Sequence, residues 1–479
     1  MTTQFTPAGA TGTAAAASAT AAALPGRDGA GRRFIAAERL PVSLSPAERQ
    51  SSEDGFVQRA LWPLLHDLAP LASFELGDWQ AFRAVNRKFA RAAAQAMTGA
   101  GAHRSAGGPA GRQRPLLGQA PPIGRPGDLV FAQDPLLMGL AAELRRLRAP
   151  VEAVYFMRPP FPAPDLLLRL PWRDRLLAGL LAFDRLGFQT RRDLGNFLDS
   201  VQLVFGEVAA RPGAGGVWSL TGRAGERSCA VAAGVYPEGV DAAGIARAAA
   251  SPEVERRLGA LRAAAGSTGA TGAGRGRRRQ WVLAVDTLSP EQGTPEKLRA
   301  FAATLELRPA LRDTVSLQLV VEPGPAAGSA AAAALRREIE RLVGEINGRL
   351  GRAGCVPVRY RFQELEAAER LALYRAADVA LVTPLRAGMG LAAKEYCAAD
   401  LEERGALVLS EFAGAAAQLG GGALLVNPHD VGSAARTLTT ALRSGGDERR
   451  RRMRLLRDEV QAHDVSWWMR ELLPETHLA

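Results

Sequence analysis

A chain of 479 residues, 47% of them hydrophobic, is long enough for two or three domains with cores of their own. Its formal charge of +11 is carried almost wholly by arginine scattered among alanines, Lys88, Lys297 and Lys394 being the lysines; without interleaved aromatics this points away from nucleic acid. No apolar run reaches the length of a membrane span, no basic-then-apolar leader opens the chain, and Cys229, Cys355 and Cys397 have spacings that suit neither disulfides nor zinc, so a cytoplasmic protein is expected.

Residues 1–32, rich in Ala, Thr and Gly, are expected to be disordered. From 33 to 264 the pattern is globular, broken by a Gly, Pro, Ala and Arg loop at 99–127. "DLVFA" reads as a strand, "PLLMGLAAELRRL" as an amphipathic helix, "VEAVYFM" as a strand, and 161–190 as two helices and a strand. A Gly- and Arg-rich linker occupies 265–279. Beyond it, strands "QWVLAVD", "VSLQLVV", "VPVRYRF", "VALVTP", "GALVLSEF" and "ALLVNP" are interleaved with helices at 295–306, 328–350, 364–376 and near 389–400. The alternation predicts an α/β protein: two Rossmann-like domains, 33–264 and 280–457, facing one cleft, followed by a terminal segment, 458–479.

The stretch "AVDTLSPEQGTPEKLRAF" (284–301) combines a strand end, a loop with Gly293 and a helix opening at Pro295. Such a loop commonly cradles a phosphate, yet no Arg or Lys lies between Asp286 and Glu296. The next cation, Lys297, is expected to point to solvent from within the helix. Two basic clusters, Arg275 to Arg279 in the linker and Arg449 to Arg452 on a late helix, stand apart from this loop.

Several segments resemble the trehalose-6-phosphate synthase family: "ALWPLLH" (60–66), "PPFPAPDLLLRLP" (159–171), "FDRLGFQTRRDLGNFLDSV" (183–201), "VYPEGVD" (235–241), "INGRLG" (346–351), "ADVALVTPLR" (377–386), "PLRAGMGLAAKEYCAA" (384–399) and "LVLSEFAGAAAQL" (407–419). They follow the family's order and cover 33–475. The resemblance implies a retaining glycosyltransferase of GT-B type, moving glucose from a nucleotide sugar to glucose 6-phosphate, with no cofactor and no metal. It also implies that the terminal "SWWMRELL" belongs to a helix that returns to the N-terminal domain.

Position by position, the resemblance implies losses. The family's Arg and Lys on the donor diphosphate correspond to Thr287 and Gln292, and each lost charge-assisted contact costs about 1.5–3 kcal/mol. Ala387 and Gly390 replace the Asp and Asn of the family's "DGMN". Arg158 replaces a sugar-contacting His. "QDPLL" keeps Asp134 but has Gln133 and Leu136 in place of histidines, and an acceptor-phosphate Arg falls at Ala326. Arg39, on the first strand, is retained, while the Gly-Gly loop expected after Val42 is missing and leaves the N-terminal domain truncated.

What is kept implies a site of Asp134 and Arg158 as catalytic residues, with Arg39, Trp62, Met389, Gly390, Leu391 and Glu395 binding substrate. Each has a plainer alternative: Asp134 capping the helix at Pro135, Trp62 in the core, Glu395 in an ion pair. Two functional readings follow. One is a non-catalytic or substrate-shifted relative that holds a nucleotide sugar or sugar phosphate weakly and acts through a partner protein or a second copy of itself. The other is an active glucosyltransferase in which Arg158 supplies the missing charge.

Overall fold

A computed structural model describes residues 2–7, 38–104, 129–267, 279–352 and 355–473. The chain divides into two compact units, one running to Tyr236 and resuming at Met469, the other from Pro237 to Trp468.

The first unit is built on β1 (Thr2–Pro7), β2 (Glu38–Val42), β3 (Leu129–Ala132), β4 (Glu152–Met157), β5 (Arg185–Phe188), β6 (Ala209–Pro212), β7 (Trp218–Ala224) and β8 (Arg227–Val235). Their order is β2-β1-β3-β4-β5-β8-β7-β6. The strands from β2 to β8 in that order pair in parallel, and β7 and β6 are added antiparallel. β3 and β4 are apolar along nearly their whole length because both faces of a parallel sheet are covered.

The N-terminal segment departs from expectation. Thr2–Pro7 is a strand between β2 and β3, a slot that supplies ladder partners on both sides to a Thr- and Phe-bearing stretch; residues 8–32 lie outside the described residues. The loop expected at 99–127 is also shorter at its start. Helix Leu76–Arg104 runs through 99–104, and 105–127 lie outside the described residues.

The second unit carries β9 (Gln280–Thr287), β10 (Val315–Glu322), β11 (Val358–Phe362), β12 (Val379–Val382), β13 (Ala406–Ser410) and β14 (Leu424–Val426), all parallel, in the order β11-β10-β9-β12-β13-β14. The strand order reverses between β9 and β12, the switch point at which open α/β sheets take ligands.

The boundary between the units falls before the Gly-rich linker, not within it. Helices Ala242–Ala249 and Pro252–Ser267 pack on Ala367–Ala376 and Leu391–Ala399 of the second unit, burying Val240, Ala249, Val254 and Leu258. Residues 268–278, with Arg275 to Arg278, lie outside the described residues; Arg279 is buried and donates to Cys355 Sγ. Near the C-terminus, helix Gly446–Ala462 stops, Asp464 accepts the Trp467 N–H at 2.8 Å, and a separate helix Val465–Leu472 begins. Its Leu472 lies against Gly187 of β5, so close that a Cβ on Gly187 would sit 2.7 Å from Leu472 Cδ1.

One buried ion pair ties β9 to the helix that follows it. Lys297, expected in solvent, is 2% exposed and bonds Asp286, whose other carboxylate oxygen accepts from Thr294 Oγ1 at 2.8 Å. Thr294, Lys297, Phe301 and Thr304 recur at helical spacing and share the buried face, so the helix register carries Lys297 inward. Removing one partner strands a buried charge. Lys297→Met is therefore expected to cost about 3–5 kcal/mol in denaturant unfolding, with Asp286→Asn added to it recovering much of the loss. A cost below about 1 kcal/mol for Lys297→Met would show that the pair is not maintained in solution.

Candidate functional site

In each unit the loops that leave the C-terminal ends of parallel strands collect the residues of interest. The first unit places Gln133 and Asp134 just after β3, Arg158 just after β4 and Gln189 just after β5. Asp134 takes its capping role: its side chain accepts the Leu136 N–H at 2.8 Å at the start of Pro135–Leu137. Asp134 is an exposed residue, yet desolvation by the protein around its carboxyl raises its pKa, opposed by the Leu136 amide and by Arg158. Asp134 and Arg158 thus sense each other electrostatically. Tyr155, on β4, donates to the Asp134 carbonyl at 3.2 Å.

A residue that the sequence reading passed over joins them. Glu53 lies in Gln50–Leu61, the π-helical middle of a continuous helical run from Pro46 to Leu65. Its Oε1 is buried without a hydrogen-bond partner among the described residues. Burial raises the Glu53 pKa, Arg49 opposes this, and the Asp134 charge adds to it. The signal available was a Glu four residues after an Arg on a helix that leads into Trp62.

Trp62 itself is half-buried, its ring 4.2 Å from the imidazole of buried His66. Arg39 is the second residue of β2, opposite Gln4 of β1. Between Val42 and this helical run the chain allows only a short connection closed by Ser45, which accepts the Glu48 N–H while Glu48 accepts its own.

In the second unit four loops are knitted together. Thr287 ends β9 and Gln292 ends the turn Pro290–Gln292; both are half-buried. Gly293 adopts φ +64°, and its neighbour Glu291 accepts the Leu385 N–H through its carbonyl at 2.7 Å. Ala326 lies in the turn after β10, where Gly324 brings the backbone within van der Waals reach of Thr287. Ala387 donates to the Phe412 carbonyl at 3.2 Å, and the Met389 carbonyl accepts from Ala415 at 2.8 Å. A Cβ on Gly414 would fall 1.8 Å from the Gly388 oxygen, so only glycine permits this approach. Gly390, at φ +80°, then turns the chain into helix Leu391–Ala399, whose first N–H groups face the same edge.

Glu395 stands one turn into that helix. It accepts from Tyr374 Oη at 3.2 Å, and the neighbouring Arg370 is paired with Glu322 at 2.8 Å. Burial raises the Glu395 pKa, Arg370 and Tyr374 oppose this, and Glu322 raises it further. No group of His, Cys, Asp and Glu suited to a metal ion occurs among the described residues. Thus Thr287, Gln292, Ala326, Ala387, Met389, Gly390, Leu391 and Glu395 collect on one edge of the second sheet, and Gln133, Asp134 and Arg158 on one edge of the first.

Residues 120–477 match the family described as Glycosyltransferase family 20. A trehalose-6-phosphate synthase of Mycobacterium avium (strain 104) is 37% identical over 437 residues, covering 91% of this chain and 80% of its own length. One from Mycobacterium leprae (strain TN) is 36% identical over 434 residues, with 90% and 79% covered. Among solved structures, an alpha,alpha-trehalose-phosphate synthase (UDP-forming) from Burkholderia xenovorans in complex with glucose-6-phosphate superposes with a TM-score of 0.79 at 30% identity, covering 91% of this chain and 88% of that one. An E. coli structure bound with UDP-2-fluoro glucose gives 0.79 at 26% identity, covering 100% and 93%.

The raised pKa of Glu395 has a consequence for stability. Between the ordinary glutamate value and its raised native value the folded state holds a proton that the unfolded state has lost, so stability falls as pH rises through that window. Glu395→Gln should therefore raise the melting temperature near pH 7.5, and the gain should vanish below about pH 4, where both states are protonated. Thermal unfolding at the two pH values checks this; a gain that grew on acidification would contradict it.

Proposed function

The chain belongs to glycosyltransferase family 20 and is trehalose-6-phosphate synthase-like; on that premise we propose that its donor half no longer secures the diphosphate of a nucleotide sugar, leaving a non-catalytic or substrate-shifted protein. One observation carries this reading. The β9 loop has no cation of its own, and the next one along the chain, Lys297, is spent on Asp286 inside the core.

In retaining transfer the departing diphosphate gains negative charge as the sugar becomes cationic. Contacts to it therefore matter most in the transition state. Thr287 and Gln292 offer neutral dipoles in place of charges, and the closed connection from Val42 to Ser45 leaves no Gly-rich loop to add backbone donors. Nucleotide sugar and sugar phosphate remain the ligand classes expected, held weakly, because relatives of the same fold bind glucose-6-phosphate and UDP-2-fluoro glucose.

A second reading has an observation of its own. Arg158 stands just after β4 and acts electrostatically on Asp134, so it is a cation already placed at a strand end. An active glucosyltransferase would use it to stabilise the leaving diphosphate.

Purified protein given UDP-glucose and glucose 6-phosphate is expected to form no trehalose 6-phosphate at a meaningful rate. Thr287→Arg with Gln292→Lys should not restore it, since the backbone donors stay absent. Turnover of about 1 s⁻¹ or more by the unmodified protein, an ordinary enzyme rate, would overturn the first reading; loss of that turnover in Arg158→Ala would establish the second.

A further inference from the structure

At the other end of the second sheet, the C-terminal ends of helices Thr294–Leu307 and Val431–Arg443 enclose a groove of about 590 Å³. Gln280, the first residue of β9, fixes its position by donating to the Leu442 carbonyl at 3.1 Å, whereas Thr287 and Gly390 belong to the opposite edge. It is lined by Arg308, Arg436 and Arg443, by Thr439, Thr440 and Ser444, and by Leu307, which is 52% exposed.

These three arginines have no carboxylate partner among the described residues. Arginines nearby do: Arg299 pairs with Glu296 and Glu338, and Arg349 with Glu306. Nor are the three needed to neutralise helix ends. The last carbonyls of Val431–Arg443 are taken by Arg449, which reaches Ala441 O at 2.8 Å and Leu442 O at 3.2 Å. On the other helix Arg312 Nε takes the Leu305 carbonyl at 3.2 Å. The hydroxyl protons are committed too, Thr439 to Ala435 O, Thr440 to Arg436 O and Ser444 to Thr440 O. What the lining offers a ligand is therefore the positive charge of arginines without carboxylate partners, beside an apolar surface that includes Leu307.

We propose that this groove binds a small organic phosphate, a phosphomonoester or diphosphate carrying at least two negative charges, at a site separate from the strand C-terminal edge. A phosphate group accepts hydrogen bonds from two guanidiniums at once, which a lone carboxylate spread over three arginines does less well. The volume lies in the range of small-ligand sites, and Leu307 can cover the face of a sugar ring or a base. The proposal does not depend on whether the family reaction is retained.

The test is calorimetric titration of the full chain with inorganic pyrophosphate and with ADP at low and moderate salt. Binding that weakens with salt is expected, ADP exceeding pyrophosphate through its organic part. The surface variant Arg308→Ala/Arg436→Ala/Arg443→Ala, its fold checked by circular dichroism and melting temperature, should lose at least tenfold in affinity. Arg454→Ala, which removes an exposed arginine that pairs with Glu403 and does not line the groove, should bind both probes as the unmodified chain does. No binding of either probe at millimolar concentration, response to a long polyanion alone, or unchanged affinity in the triple variant would each overturn the proposal.

Discussion

The ion pair between Asp286 and Lys297 decides what the β9 loop can do. Both side chains are almost wholly removed from water, so each charge is tolerable only because the other neutralises it, with Thr294 completing the carboxylate's hydrogen bonding. The strand end and the helix start are thereby clamped together. The eight residues from Thr287 to Thr294 must close the distance with a turn, and Gly293 supplies the left-handed conformation that this requires. The clamp also consumes Lys297, the first cation along the chain after the loop.

Parallel topology explains why the scattered sequence segments come together within each unit. Every βα loop emerges at the C-terminal edge of its sheet, so motifs a hundred residues apart become neighbours. That much was legible, because apolar runs alternating with amphipathic helices fix the class and the family segments fix their order. Lys297 was misplaced by residue type alone, although the spacing of Thr294, Lys297, Phe301 and Thr304 already put it on the buried face. Thr2–Pro7 was missed for a different reason. Its place is created by β2, some thirty residues on, and by β3, more than a hundred residues on, and nothing local in an Ala- and Thr-rich stretch announces such partners. The β6–β7 hairpin was signalled by Gly213, Gly215 and Gly216 and overlooked in favour of the βα rhythm.

The basic composition is largely spent on local structure. Arg449 is buried and donates to carbonyls of five residues, among them Asp378 and Ser444. Its neighbours Arg450, Arg451 and Arg452 pair with Asp447 and Glu448 within the same helix. Each exposed pair contributes little to stability, but together they cancel the field that a cluster of like charges would project. A charge count taken from the sequence overstates what the surface offers to an anion, and the informative arginines are those left without such partners.

Backbone geometry and side-chain charge have parted company on the second sheet's edge. Gly390 still turns the chain so that the N–H groups of Leu391 and its successors open toward the edge, and the Gly388–Gly414 approach still holds that turn in place. Meanwhile Thr287, Gln292 and Ala387 bring no ionised group, and Glu395 is crowded toward its neutral form. Amide donors at a helix start satisfy any oxygen acceptor, whereas a diphosphate in a partly desolvated site needs full positive charges to offset its desolvation. On the proposed reading of this edge, such a balance favours hydroxyl- or carbonyl-bearing groups over polyanions.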